Sequence, residues 1–295
     1  MSFNRKYRKL MSVLIISAML LASCSGGQGN AGNGNSGTTE NVTDTTPVNV
    51  DTADAEKLSL SESTTIDKAG KYLVAGTISD GQLTIDAGED DDVTLILDGV
   101  SITNSDGAAI YVKQAGNVTI SLAEGSENTL ISSSFTDDGD TDAAIYAKDD
   151  LTLNGAGKLT ITSTGGHGVN AKDTLMIESG TYEITAEKHA VKVKDSLTMT
   201  GGALTLVSGK DGIHAENKDD TTLGNVTITG GSLNVTSDGD GIDAAGTLTI
   251  TGGDFDITTG GGSPETISTG GKDFGFGKTS SSSTDSTDTT SVKAL

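Results

Sequence analysis

The chain has 295 residues and carries 41 acidic against 19 basic side chains, a formal charge of −22 that repels phosphate backbones and excludes nucleic-acid binding. Aromatic residues make up only 3%, tryptophan is absent and there are 40 glycines, which excludes a core of aromatics and leucine-rich helices. Ile, Val, Leu and Ala recur at short regular intervals, which excludes disorder throughout, and one cysteine allows no intramolecular disulfide.

Arg5, Lys6, Arg8 and Lys9 precede an apolar run from Leu10 to Leu21, too short to span a bilayer comfortably. The run ends in Leu21-Ala22-Ser23-Cys24, which resembles the lipobox of bacterial lipoproteins. That resemblance implies a signal peptide over 1–23, cleavage before Cys24 and acylation of Cys24. The expected location is a cell membrane or outer membrane, lipid-anchored and facing outside the cytoplasm. Cleavage also removes both arginines, Arg5 and Arg8. Residues 24–56, rich in Gly, Asn, Ser and Thr, read as a flexible tether. Gly32-x-Gly34-x-x-Gly37 has the spacing of a dinucleotide-binding loop, but no strand precedes it and no helix follows, so it is not read as one.

Residues 57–262 are repetitive. Ile110-Tyr111-Val112, Ile145-Tyr146-Ala147, Val169-Asn170-Ala171, Val191-Lys192-Val193, Ile213-His214-Ala215 and Ile242-Asp243-Ala244 are short in–out–in units spaced by 35, 24, 22, 22 and 29 residues. A second set includes Leu151-Thr152-Leu153, Leu175-Met176-Ile177 and Leu197-Thr198-Met199, and a third includes Leu159-Thr160-Ile161 and Leu204-Thr205-Leu206. Three short strands per period of about 22 residues, joined by Gly/Asn/Asp turns, predict an all-β fold: a single-stranded parallel β-helix of about eight coils. Period-two alternation sends one set of side chains inward as ladders and the other onto the outer faces. A sandwich of hairpins does not fit, because hairpins reverse and do not stack like on like. The spacings of 35 and 29 require outward loops near Ser132–Thr141 and Asn217–Thr222, of the kind that build a solenoid's binding surface. Residues 263–295 form a low-complexity tail in which Val292-Lys293-Ala294 reads as the start of a further coil, as in a truncated version of a longer repeat.

Three phrases carry a resemblance: Val93-Thr-Leu-Ile-Leu-Asp98-Gly99-Val100-Ser-Ile-Thr, Ala143-Ala-Ile-Tyr-Ala-Lys148-Asp149-Asp150-Leu-Thr-Leu-Asn-Gly155, and His167-Gly-Val-Asn-Ala-Lys172-Asp173. They are similar to a bacterial family of secreted carbohydrate-binding β-helix proteins, pectate-lyase-like in shape, that bind cellulose and polygalacturonate and carry calcium. The similarity covers about residues 60 to 262. It implies a right-handed, calcium-containing β-helix that binds polysaccharide without established catalysis.

Two sets of candidate residues follow. Asp149, Asp173 and Asp195 succeed Lys148, Lys172 and Lys194 at one coil position; with Asp150, and with Asp211 and Asp240 in a turn column, they offer hard oxygen donors suited to calcium. The acidic run Asp138-x-Asp140-x-Asp142 imitates the start of an EF-hand loop, but Ala143 stands where that loop needs glycine. Gly239-x-Gly241-x-Asp243 only half matches a calcium-binding β-roll repeat. The outward column Tyr111, Tyr146, Asn170, Lys192, His214 and Asp243 combines rings for stacking on sugar faces with partners for hydroxyls, and is the candidate carbohydrate-binding strip. His167 and His189 occupy equivalent turns one rung apart; two such ligands without a convincing third make a weak transition-metal site, and a stacked imidazole ladder is expected instead, with His214 simply exposed.

The expected function is non-catalytic, calcium-dependent binding of a polysaccharide, cellulosic or acidic, by a monomer held at the membrane through its lipid. A lyase would need Lys148, Lys172, Lys192 or Lys194 as its base, and no spacing singles one out. An adhesin or spacer without sugar affinity is the third alternative.

Overall fold

The structure, a computed structural model, describes residues 50–135 and 141–260. The signal segment, Cys24, most of the tether, Asp138, Asp140 and the tail with Val292–Ala294 lie outside the described residues.

Among the described residues the chain is all-β, and every strand pairing is parallel. Two sheets are present, one of eight strands and one of fifteen. The eight-stranded ladder takes one short strand from each repeat: Thr64–Ile66, Leu83–Asp86, Ile110–Gln114, Ala143–Ala147, His167–Ala171, Val191–Val193, Ile213–Ala215 and Ile242–Ala244. The larger sheet is two ladders fused at one long strand, Asp92–Asn104, whose first half pairs with Asn117–Leu122 and whose second half pairs with Glu127–Ser132. From there one arm continues through Asp150–Gly155, Thr174–Ile177 and Ser196–Met199, and the other through Lys158–Ser163, Thr181–Ala186 and Ala203–Ser208. Each repeat thus adds one rung to each of three ladders. The expected eight-fold repetition is the strand count of the short ladder.

Parallel pairing in constant register puts like on like. Ile110, Ile145, Val169, Val191, Ile213 and Ile242 form one buried column, and Leu151, Leu175, Leu197 and Val226 another. No repeat buries its apolar face alone; each is stabilised by the rungs on either side. Gly155 sits where the chain turns sharply with φ of 115°, and a Cβ there would run into the backbone of Leu122 on the neighbouring rung. Only glycine combines that dihedral with that approach.

Candidate functional site

The short ladder has one face in the core, and its other face carries the candidate chemistry. Tyr111 pairs with Tyr146, Tyr146 with Asn170, Asn170 with Lys192, Lys192 with His214 and His214 with Asp243, so the six candidate strip residues form one continuous column. Two residues further along each strand, on the same face, comes a column of lysines. Lys148, Lys172 and Lys194 each donate the backbone N–H to the preceding rung, to Val112 O, Ala147 O and Ala171 O, at 3.0, 2.8 and 2.9 Å. The ammonium of Lys148 lies 5.3 Å from the Tyr111 ring centroid and that of Lys172 lies 5.4 Å from Tyr146. Lys194 pairs with Asp219 at 2.6 Å, a residue of the loop that follows Asn217.

These columns wall a cleft of about 670 Å³ lined by Tyr146, Lys148, Asn170, Lys172, Lys192 and Lys194, and closed by Glu216, Lys218 and Asp219. A volume of that order suits a few sugar units. On a chain of net charge −22, five lysines around one cleft form a local positive field. The loop at 217–222 is ordered by the Asn217 side chain, whose Oδ1 accepts the N–H groups of Asp219 and Asp220 at 2.9 and 3.0 Å.

The strip is not uniformly open: three of its six positions, expected to face outward to a sugar, are buried. Tyr111 and Tyr146 are each only 7% exposed. On rungs one strand apart their rings meet edge to face at 5.9 Å, and with Ala108 and Ala143 they form a small apolar cluster outside the main core. Asn170 is buried, and its amide donates to Asp142 Oδ1 at 2.5 Å. Asp142 also lies 3.6 Å from His167 Nε2 and 3.9 Å from Lys192 Nζ, so it holds Asn170 and Lys192 of the cleft wall from one side. Burial, opposed by Asp142, holds the Lys192 ammonium below the usual lysine range. A lysine marked in this way was not visible from spacing.

The lower strip turns towards a different cluster. His167, His189, Asp211 and Asp240 stack in the turn column, and each backbone N–H serves the side chain one rung back: His189 to His167 Nδ1 at 3.1 Å, Asp211 to His189 Nδ1 at 3.2 Å, Asp240 to Asp211 Oδ1 at 2.9 Å. The His167 and His189 rings stack as expected, with centroids 5.0 Å apart and planes 3° apart. His214 extends the stack, 4.3 Å from His189, and its side chain is 16% exposed rather than free in solvent. Between Asp211 and His214, Gly212 lets the next rung approach closely; a Cβ there would meet Gly241 O at 2.6 Å. Burial would raise the Asp211 carboxyl, but the His189 and His214 imidazoles and the Asp240 N–H outweigh it and hold it well below the carboxylate range. Burial depresses His167 to about 2, whereas the hydrogen bond to Asp211 raises His214.

The six candidate metal-binding aspartates therefore do not act alike. Asp149 is buried and its Oδ2 accepts the Ala115 N–H at 2.9 Å, which commits it to the fold. Asp150 Oδ1 accepts from Thr174, from Oγ1 at 2.6 Å and from the N–H at 3.2 Å. Asp211 has nitrogen partners, and Asp240 reaches it through its backbone. Asp173 and Asp195 are carboxylates on adjacent rungs, and the Asn217 amide donates to Asp195 Oδ1 at 2.5 Å; burial and then the neighbouring Asp173 push the Asp195 carboxyl up.

Comparison with known proteins agrees with a sugar-binding repeat. Over 151 residues the chain is 38% identical to a carbohydrate-binding domain-containing protein of Acetivibrio thermocellus, taking in 49% of this chain and 52% of that protein. The chain thus spans about half the length of that relative. Among solved structures it is similar to the polysaccharide lyase-like protein from C. thermocellum, determined as a gadolinium derivative, at 34% identity and a TM-score of 0.60. That similarity covers 68% of this chain and 86% of the other. Residues 61–295 match the carbohydrate-binding domain-containing proteins as a family, and the chain belongs to that family.

Proposed function

We propose that this protein binds an acidic polysaccharide non-catalytically in the lysine-walled cleft of the short ladder. The observation that carries this reading is the set of lysines at 148, 172, 192, 194 and 218 around one cleft of a strongly acidic chain. Uronate carboxylates would meet these ammonium groups, and sugar hydroxyls would meet Glu216 and Asp219. The buried tyrosine edges offer no broad flat platform for a crystalline neutral glucan. The three ladders are read as the faces of a right-handed β-helix, because parallel connections of this kind are almost always right-handed and the solved relative is polysaccharide lyase-like.

Calcium belongs to the proposal at Asp173 and Asp195, which would hold it through their carboxylates while water completes the shell. The protein is also proposed to be lipid-anchored through Cys24 on the outer side of a membrane, on the strength of Leu21-Ala22-Ser23-Cys24 after the basic and apolar segments. Mass spectrometry of the mature N-terminus tests the anchor.

Affinity electrophoresis on polygalacturonate and on a neutral β-glucan, with and without calcium, tests the binding. Selective retardation by the polyuronate, lost in the Lys172→Ala/Lys192→Ala double variant, is the expected result. Equal retardation by the neutral glucan, or none by either, overturns it.

A second reading, a polysaccharide lyase, is favoured by the depressed ammonium of Lys192 at the cleft wall. Neutral Lys192 would take the proton next to the uronate carboxylate, and the β C–O bond would break, its oxygen leaving as a hydroxyl with a proton from water, to give an unsaturated sugar. Growth of unsaturated-uronate absorbance with polygalacturonate, abolished in Lys192→Ala, would establish it.

A further inference from the structure

Outside the cleft, His189, Asp211 and His214 form the one group among the described residues in which three metal-ligating side chains converge, each offering a donor atom within 4.8 Å of the other two. We infer that this cluster is a binding site for a divalent transition metal of the zinc, nickel or copper class, distinct from any calcium position. Two imidazoles and a carboxylate are the donor set such ions take, whereas calcium prefers oxygen alone.

Three donors that close together have a common centre about 2.8 Å from each, so sub-ångström side-chain movement brings them to about 2.0–2.2 Å. Asp211 Oδ2 already stands 3.1 Å from both His189 Nδ1 and His214 Nδ1, and Asp243 Oδ2 stands 2.9 Å from His214 Nδ1. Donors bound tetrahedrally to one metal at those bond lengths lie about 3.3–3.6 Å apart, so small outward shifts make room for the ion. Asp243, beside His214, is the carboxylate that would complete the set.

A second observation points the same way. Both imidazoles share one carboxylate oxygen: Asp211 Oδ2 faces His189 Nδ1 and His214 Nδ1 at 3.1 Å each. A metal would take the place of the protons between them, with the stacked rings turning slightly so that both nitrogens meet the ion. The side chains of His189, Asp211 and His214 are only 12%, 16% and 16% exposed, so the ion would be largely shielded from water. The rungs above and below hold the site from two successive repeats, and the metal would clip those repeats together.

The test uses the purified mature protein stripped by chelator, titrated with zinc, cobalt(II) and calcium chlorides. Zinc is expected to bind one to one by calorimetry and to raise Tm. Cobalt is expected to give the intense visible bands of a nitrogen-containing, low-coordinate site. His189→Ala and His214→Gln should each weaken zinc at least tenfold, while His167→Gln should leave it within twofold. Circular dichroism shows whether each variant folds, and His214→Gln, which keeps a polar side chain of similar length, serves if His189→Ala does not. No zinc heat and no Tm shift, only the weak bands of six-coordinate aqueous cobalt, or unchanged affinity in a folded His214→Gln variant, would overturn the assignment. Polysaccharide retention is read separately with Lys172→Ala/Lys192→Ala, so failure of either idea is distinguishable from failure of the other.

Discussion

Lys148 extends back across one rung so that its ammonium lies 5.3 Å from the ring centroid of Tyr111, and Lys172 repeats the relation with Tyr146 at 5.4 Å. The repeat thus sets each of these two cations over the aromatic ring of the previous coil, whereas Lys194 pairs with Asp219. The rings supply part of the stabilisation of a lysine column whose members would otherwise repel at the spacing of a β-ladder, about 4.8 Å.

The lysine column predicts a salt-dependent interaction. Lys148→Ala/Lys172→Ala should weaken retention of an acidic polysaccharide roughly tenfold, which corresponds to about 1.4 kcal/mol. Wild-type retention should itself fall between low salt and physiological salt, where exposed charges are screened beyond about 8 Å. Affinity electrophoresis across a salt series measures both. Salt-independent retention would show that the lysines are not the contacts.

The columns themselves were legible in the sequence because stacking demands it. Ile110, Ile145, Val169, Val191, Ile213 and Ile242 must fill one buried column, so their spacing betrays the rungs, and the residue after each falls into outward register automatically. What those outward residues touch was not legible. The lysines at 148, 172 and 194 obey the same period, but beside Asp149, Asp173 and Asp195 they read as companions of a metal column rather than as the wall of a cleft. His214 meets Asp211 across the turn that precedes its strand, and alternation along a strand carries no signal for a contact around a corner. Asp142 was read with an acidic loop, while the fold places it against His167, Asn170 and Lys192.

Asp149 separates a structural aspartate from a cation ligand. Its Oδ2 satisfies the buried Ala115 N–H, so Asp149→Ala should destabilise the protein by about 1–3 kcal/mol, the cost of an orphaned buried donor. Denaturant unfolding should give the same loss in calcium and in chelator. A loss that vanishes in chelator would instead make Asp149 a calcium ligand.

Ser132 and Ser163 pair across adjacent rungs, both buried, with hydroxyl oxygens that make no hydrogen bond. The next rung places Ala186 in the same column without difficulty. Ser163→Ala should therefore be neutral or stabilise by up to about 1 kcal/mol, because a hydroxyl that gains no partner in the fold loses its water on burial. A drop in denaturation midpoint would reveal a hydrogen bond made by that hydroxyl.

Tyr182 predicts an alkaline limit to stability. The side chain is 1% exposed, its hydroxyl donates to Asn154 O at 3.4 Å, and burial, reinforced by Glu178, pushes its ionisation far above that of a free phenol. Below about pH 10 the phenol is neutral in both folded and unfolded chains and has no effect on the pH dependence. Above about pH 10 only the unfolded chain gives up the proton, so stability falls as the pH rises further. A spectrophotometric titration followed together with circular dichroism should show Tyr182 ionising only as the β signal is lost. Tyr182→Phe should lack that step and unfold at higher pH relative to its neutral-pH stability. If all the tyrosines ionise reversibly near pH 10 in a chain that stays folded, the ring of Tyr182 is reached by water and the packing between the Asp150–Gly155 and Thr181–Ala186 strands is looser than described.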